Sequence, residues 1–267
     1  MNAFPLVPVH ASILSSYDAK GQTGGPRANL KPLATLGKAG IAAADAATAL
    51  LALHNAVLAA GGDFRVTECH RDVAVQMAAR AKYDRWVAAG KPKPGTAAFD
   101  AKNMKADYVA TPGKSGHNAG RSIDVHIGAL NFPNIAADKQ LDRLWEICWF
   151  LGWTPIIKEA KEGASEAWHF DFWGELSGVY ARLGYEQAAL CGALLVGHAG
   201  EFQTYPRLIQ ALISRAGFNI GEIDGVLGPR TRAAGAVALN MTETDFAARL
   251  LGQDDTLVSR LANLTAA

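Results

Sequence analysis

The chain has 267 residues, with 26 Lys and Arg against 25 Asp and Glu, a formal net charge of +1, and 49% hydrophobic residues. That length suits one large domain or two smaller ones with a substantial core, and the composition is ordinary for a globular protein. The near-neutral balance gives no electrostatic reason to expect nucleic acid or an anionic membrane surface as partner.

The N-terminus, M-N-A-F-P-L-V-P-V-H-A-S, has no basic start and two prolines interrupt its apolar run, so it reads as a poor secretory signal. The apolar run Ala42 to Ala60 carries Asp45, His54 and Asn55, so no stable membrane insertion is expected. The expectation is a soluble monomer made in the cytoplasm, which reaches any target outside by another route. Residues 1–35, rich in Gly, Pro and polar residues, read as irregular structure. Gly40 to Ala60 is Ala/Leu-rich and closes on Gly61-Gly62, a helix with a glycine stop. D-F-R-V-T-E (63–68) alternates with period two and predicts a strand. Val73 to Ala89 predicts a helix ended by Gly90. K-P-K-P-G (91–95) opens a polar stretch to about Lys105, and the insertion at about 86–105 is either a lid or specificity loop or an inert surface excursion. S-I-D-V-H-I (122–127) is strand-like again. Asp138 to Leu151 predicts a helix with the stripe Leu141, Leu144, Trp145, Cys148 and Trp149. W-T-P-I (153–156) and W-H-F-D-F (168–172) are short strands, and Glu186 to Val196 is an apolar helix.

The strands lie too close together for parallel crossovers. This predicts an α+β fold with a small antiparallel sheet and flanking helices. After V-G-H-A-G (196–200) the character changes. Phe202 to Ala216 is amphipathic, a glycine-punctuated loop (217–231) leads into a helix with Pro229 in its first turn, and Thr242 to Leu264 carries one or two more helical segments. The expected division is therefore a first domain at 1–198, with its core about 40–196, and a C-terminal three-helix domain at 199–267. Cys69, Cys148 and Cys191 are widely spaced and odd in number, so they read as buried small hydrophobes rather than a disulfide framework.

Chemistry concentrates in two stretches. S-G-H-N-A-G-R-S-I-D (115–124) supplies His117 and Asp124, and E-A-W-H (166–169) supplies His169 and Glu166. Two imidazoles and one carboxylate match the three protein ligands of a catalytic zinc with an open fourth position. Such a metal brings the pKa of water from about 16 toward about 7, and Glu166 is then placed to act as general base and acid. Gly116 and Gly120 let the backbone turn around His117. Alternation puts Ser122, Asp124 and His126 on one face, so His126 is a rival ligand.

These stretches resemble the S-x-H-x-x-G-x-x-x-D and E-x-W-H motifs of the VanY-like zinc D-alanyl-D-alanine carboxypeptidases, of the hedgehog/LAS-type fold. That group also takes in dipeptidases and the L-alanyl-D-glutamate endopeptidases of phage endolysins. The resemblance implies one Zn2+ held by His117, Asp124 and His169, with Glu166 as catalytic base. T-P-G-K (111–114) resembles the lead-in of the carboxypeptidase branch. E-C-H-R-D-V-A-V-Q (68–76) partly matches a G-Y-R-S-type segment followed by Gln, with His70 in place of the Tyr and Asp72 in place of the Ser. It implies Arg71 as a carboxylate grip or oxyanion stabiliser and Gln76 as a substrate contact. Ser115 is a further candidate contact, and Trp168 is either packing or a substrate platform. Residues 208–234 resemble the three-helix peptidoglycan-binding module, G-x-I-D-G-x-x-G-x-x-T, where Asp224 and Thr231 are structural or wall-binding.

Together the resemblances imply a peptidase acting on peptidoglycan stems, laid out like a phage or prophage endolysin and acting on the wall after release. It would be of carboxypeptidase or endopeptidase type. The alternatives are a bacterial wall-remodelling carboxypeptidase and a non-catalytic zinc-containing wall binder.

Overall fold

The computed structural model describes residues 4–14, 40–161 and 166–266. β1 (Val7–Pro8) pairs antiparallel with β2 (Ile41–Ala42), and a single helical turn, α1 (Ala11–Leu14), follows β1. The irregular structure expected for 1–35 is thereby corrected at residues 4–14, where the Gly40–Ala42 backbone supplies partners; from residue 15 that stretch lies outside the described residues. α2 (Ala44–Ala59) buries Leu50, Leu53 and Val57, and the chain leaves it through Gly61 at φ +79°.

β3 (Val66–Glu68) leads into α3 (Val73–Ala88). Asp72 caps this helix, accepting the Ala74 N–H at 2.7 Å. An aspartate can therefore stand where the resembled segment has serine, because both are good N-caps, worth about 1 kcal/mol. After a long loop come β4 (Ser122–Val125), α4 (Gln140–Phe150), β5 (Trp153–Pro155) and β6 (His169–Phe172). The four strands form one antiparallel sheet in the order β3-β4-β6-β5. The fold is α+β, as the sequence pattern predicts.

Period-two alternation divides the sheet into two faces. Ile123, Val125 and Phe170 point into a core closed by Leu50, Leu53 and Leu144 from α2 and α4. Each such side chain contributes roughly 1.5–3 kcal/mol by leaving water. The alternate residues, Ser122, Asp124, His169 and Asp171, are buried polar groups on the opposite face.

Helices then take over: α5 (Ser177–Leu183), α6 (Tyr185–Val196), α7 (Tyr205–Arg215), α8 (Pro229–Ala238), α9 (Glu243–Leu251) and α10 (Asp255–Ala262). The span Thr242 to Leu264 is thus two helices. A second core runs from Trp173 to Leu261, so α5 and α6 share it with α7 to α10. All three cysteines are buried and free. Among the described residues no helix is long and apolar enough to cross a membrane.

Candidate metal centre

The loop before β4 is a tight, internally bonded turn. Ser115 O accepts the Ala119 N–H at 3.1 Å, and Gly116 O accepts the Arg121 N–H at 2.9 Å. Gly120 takes φ +65°, which a side chain rarely tolerates. Gly116 is needed for a different reason: a Cβ there would collide with Ser122 Oγ and Asp171 Oδ1. Asn118, fully buried, accepts the Gly113 N–H and donates to Arg71 O at 2.7 Å, tying this loop to the one after β3.

Sheet register does the rest. Asp124 lies opposite His169 on β6 and opposite Glu68 on β3, and Ser122 lies opposite Asp171. His117 Nε2 and His169 Nδ1 each stand 3.2 Å from Asp124 Oδ1. Ligand atoms of the three residues all lie within 4.8 Å of one another. Tetrahedral zinc with bonds near 2.0 Å holds its donors about 3.3 Å apart, so the spacing fits. The far nitrogens fit too. His117 Nδ1 faces Cys69 O at 2.6 Å, and His169 Nε2 faces Asp171 Oδ1 at 3.0 Å. These partners fix the tautomers that leave Nε2 of His117 and Nδ1 of His169 free to ligate. Ser122 Oγ in turn bonds Asp171. His126 is not part of the cluster.

Electrostatics agree with a cation site. Burial opposes ionisation of Asp124, yet His117 and His169 hold its carboxyl well below the usual range. Burial likewise opposes charge on His169, but Asp171 and Asp124 raise its imidazole to about 10. Without a metal, the cluster keeps a proton on His169 that a divalent cation would displace.

The cluster opens into a cleft of about 590 Å3. Arg71, Gln76, Ser115, Glu166 and Trp168 all line it. Arg71 is gripped bidentately by Glu68, at 2.7 and 2.8 Å, and donates to Gln76 Oε1 at 2.9 Å. Gln76 also donates to Ala110 O, so its amide is engaged at both ends and orients Arg71. Ser115 Oγ accepts the His117 N–H at 3.3 Å. Glu166 takes φ +66°, and its carbonyl accepts the His169 N–H at 3.0 Å. A left-handed non-glycine residue costs about 1–2 kcal/mol, strain that is tolerated where placement matters.

A family model for VanY, D-alanyl-D-alanine carboxypeptidase, matches residues 41–175, just over half of the chain. The chain belongs to the VanY carboxypeptidase family. No curated protein and no solved structure matches it. The VanY domain begins at β2, ends just past β6, and contains the whole cluster.

Several contributors to this VanY site escaped the sequence reading. Asp171 and Ser122 support His169 from behind. The signal for Asp171 was present, since H-F-D-F alternation puts it on the same face as His169. Glu68, three residues before Arg71, carried no comparable mark. Tyr108, in the loop before Ser115, and Tyr185, from far along the chain, also line the cleft. Of the 91–105 stretch, Lys105 lines the cleft, and Pro92 O and Asn103 O accept from Trp86 and Arg85 on α3. Outside the VanY domain, Asp224 Oδ1 accepts from Gln210 at 2.9 Å and from the Val226 N–H at 2.8 Å, while Thr231 is buried near the start of α8.

Proposed function

We propose that the chain is a zinc-dependent peptidase that hydrolyses peptide bonds in the stems of bacterial peptidoglycan. The observation that carries this reading is the convergence of His117, Asp124 and His169 at a cleft that Glu166 also lines. Zinc, when bound by those three side chains, supplies Lewis acidity to the nucleophilic water and the scissile carbonyl. Glu166 takes a proton from the attacking water and returns it to the leaving amine. Burial opposes charge on Arg71, but Glu68 raises its pKa, so the guanidinium stays charged and grips the substrate's carboxylate. Gln76 holds Arg71 in place, and Ser115 and Trp168 bound the peptide.

Arg71 and the family match favour removal of a terminal D-alanine. Cleavage inside the stem, at L-alanyl-D-glutamate, is the second reading; a cleft of 590 Å3 favours it by leaving room for a longer peptide. Digestion of purified peptidoglycan separates the two by product mass. Loss of a single alanine with no new internal N-terminus rules out the endopeptidase. The biological role we favour is a monomeric phage or prophage endolysin in which residues 199–267 hold the polymer and raise local substrate concentration. Asp224 and Thr231 would serve that unit by shaping the loop before α8. A bacterial wall-remodelling enzyme is the alternative role. A non-catalytic zinc wall binder would have no use for Glu166.

The deciding experiment compares zinc content and wall digestion of the wild type and Glu166→Ala. The variant should keep its zinc and lose activity by about 10²–10⁴-fold. Normal digestion by Glu166→Ala would overturn the mechanism.

A further inference from the structure

We propose that Tyr185 is a further catalytic residue of this site, its hydroxyl donating a hydrogen bond to the carbonyl oxygen of the bond being cut. This rests on the peptidase reading above. Tyr185 opens α6, beyond the end of the family match, so it belongs to the helical half of the molecule. Its ring stands edge-on to Trp173, centroids 5.5 Å apart, and Trp173 stacks on Tyr180 at 4.9 Å, which anchors the phenol from behind. The side chain reaches the cleft that His117, Glu166 and His169 also line.

There its oxygen accepts the Gly116 N–H at 3.4 Å, from the residue just before the first candidate ligand. That contact uses a lone pair and leaves the O–H to give. Among the described residues none accepts it, and the cleft is where an acceptor would come from. Burial pushes the phenol pKa up, and Asp171 and Glu166 push it the same way, so the hydroxyl stays protonated. Those carboxylates also disfavour a substrate carboxylate at this point and leave a neutral carbonyl as the acceptor. Its hydrogen bond strengthens as the oxygen gains charge in the transition state. Tyr185 keeps its proton throughout; the proton that reaches the leaving amine comes from Glu166.

Tyr185→Phe keeps the ring against Trp173 and removes only the donor. Its kcat on a stem peptide should fall about 10²- to 10³-fold, with KM and zinc content near those of the wild type. A phosphinate analogue, tetrahedral at the reacting centre, should bind more weakly by the same factor. The intact peptide should bind equally to Glu166→Gln and to the double variant Glu166→Gln/Tyr185→Phe. Unchanged kcat, or a loss confined to KM, overturns the proposal. A wild type inactive on every stem peptide sinks the peptidase reading itself, whereas an active wild type matched by Tyr185→Phe sinks only this one. If Tyr185→Phe loses its metal, 3,5-difluorotyrosine at position 185 decides, since it keeps the shape and is a stronger donor. Assayed below its own pKa, tighter phosphinate binding supports the proposal and unchanged binding overturns it.

Discussion

At the residue scale, the candidate metal site depends on atoms that would not touch a metal. Asp171 faces His169 Nε2 and is itself bonded by Ser122. Asp171→Asn should therefore weaken zinc binding about 10- to 100-fold, read by competition with a chelator, although Asp171 is not among the three candidate ligands. Because Asp171 and Asp124 raise the His169 imidazole to about 10, zinc entering the site at pH 7 should displace about one proton. Calorimetry in buffers of different ionisation enthalpy counts it. Lower pH favours the proton and weakens zinc binding, and higher pH strengthens it. His117, Asp124, His169 and Glu166 were singled out as candidates by residue type together with the family resemblance, since spacing alone left His126 as a rival ligand. Asp171 required the strand register, and Tyr185 required the tertiary fold.

At the element scale, the sheet is a two-faced plate with hydrocarbon on one side and chemistry on the other. Phe170 sits between His169 and Asp171 and is fully buried in the core closed by α2 and α4. Phe170→Ala should cost about 3–5 kcal/mol in a denaturant titration, with zinc binding affected only as the strand loosens. Gly116→Ala is the converse case. Its Cβ would meet Ser122 Oγ and Asp171 Oδ1 on the polar face, so the main loss should appear in zinc affinity, with about 1–3 kcal/mol of overpacking. The strands and long helices were readable because their periodicities are local. The pairing of residues 7–8 with 41–42 was not, since a two-residue bridge has no period of its own.

At the scale of the whole molecule, two cores meet beside the cleft. His70, 3% exposed in the loop after β3, packs edge-on to His198 beyond α6 with ring centroids 4.5 Å apart. Burial, then His198, lowers its pKa to about 4. In the unfolded chain a histidine titrates near 6.5. Between those values the unfolded state binds the proton and the folded state does not, so stability is complete above about pH 6.5 and falls as pH drops toward 4. The slope is up to about 1.4 kcal/mol per pH unit. His70→Gln should flatten that dependence in unfolding curves taken at pH 7.5 and 5. Ending the chain after His198 tests the union of the cores. It would strip α7 to α10 from Leu190 and Leu194 on α6, and the product should aggregate or melt early by circular dichroism.

The sequence alone determined the α+β class and the order of the main elements, because these rest on local periodicity, and its motifs, through the family resemblance, pointed to three candidate ligands and a candidate base. Only the tertiary structure decided what surrounds them: the register that sets Asp124 between Glu68 and His169, the carboxylate behind His169, the guanidinium clamp of Arg71, and the helix that brings Tyr185 to the cleft. Those depend on contacts between residues far apart along the chain, and no local pattern specifies which distant neighbours packing will bring together.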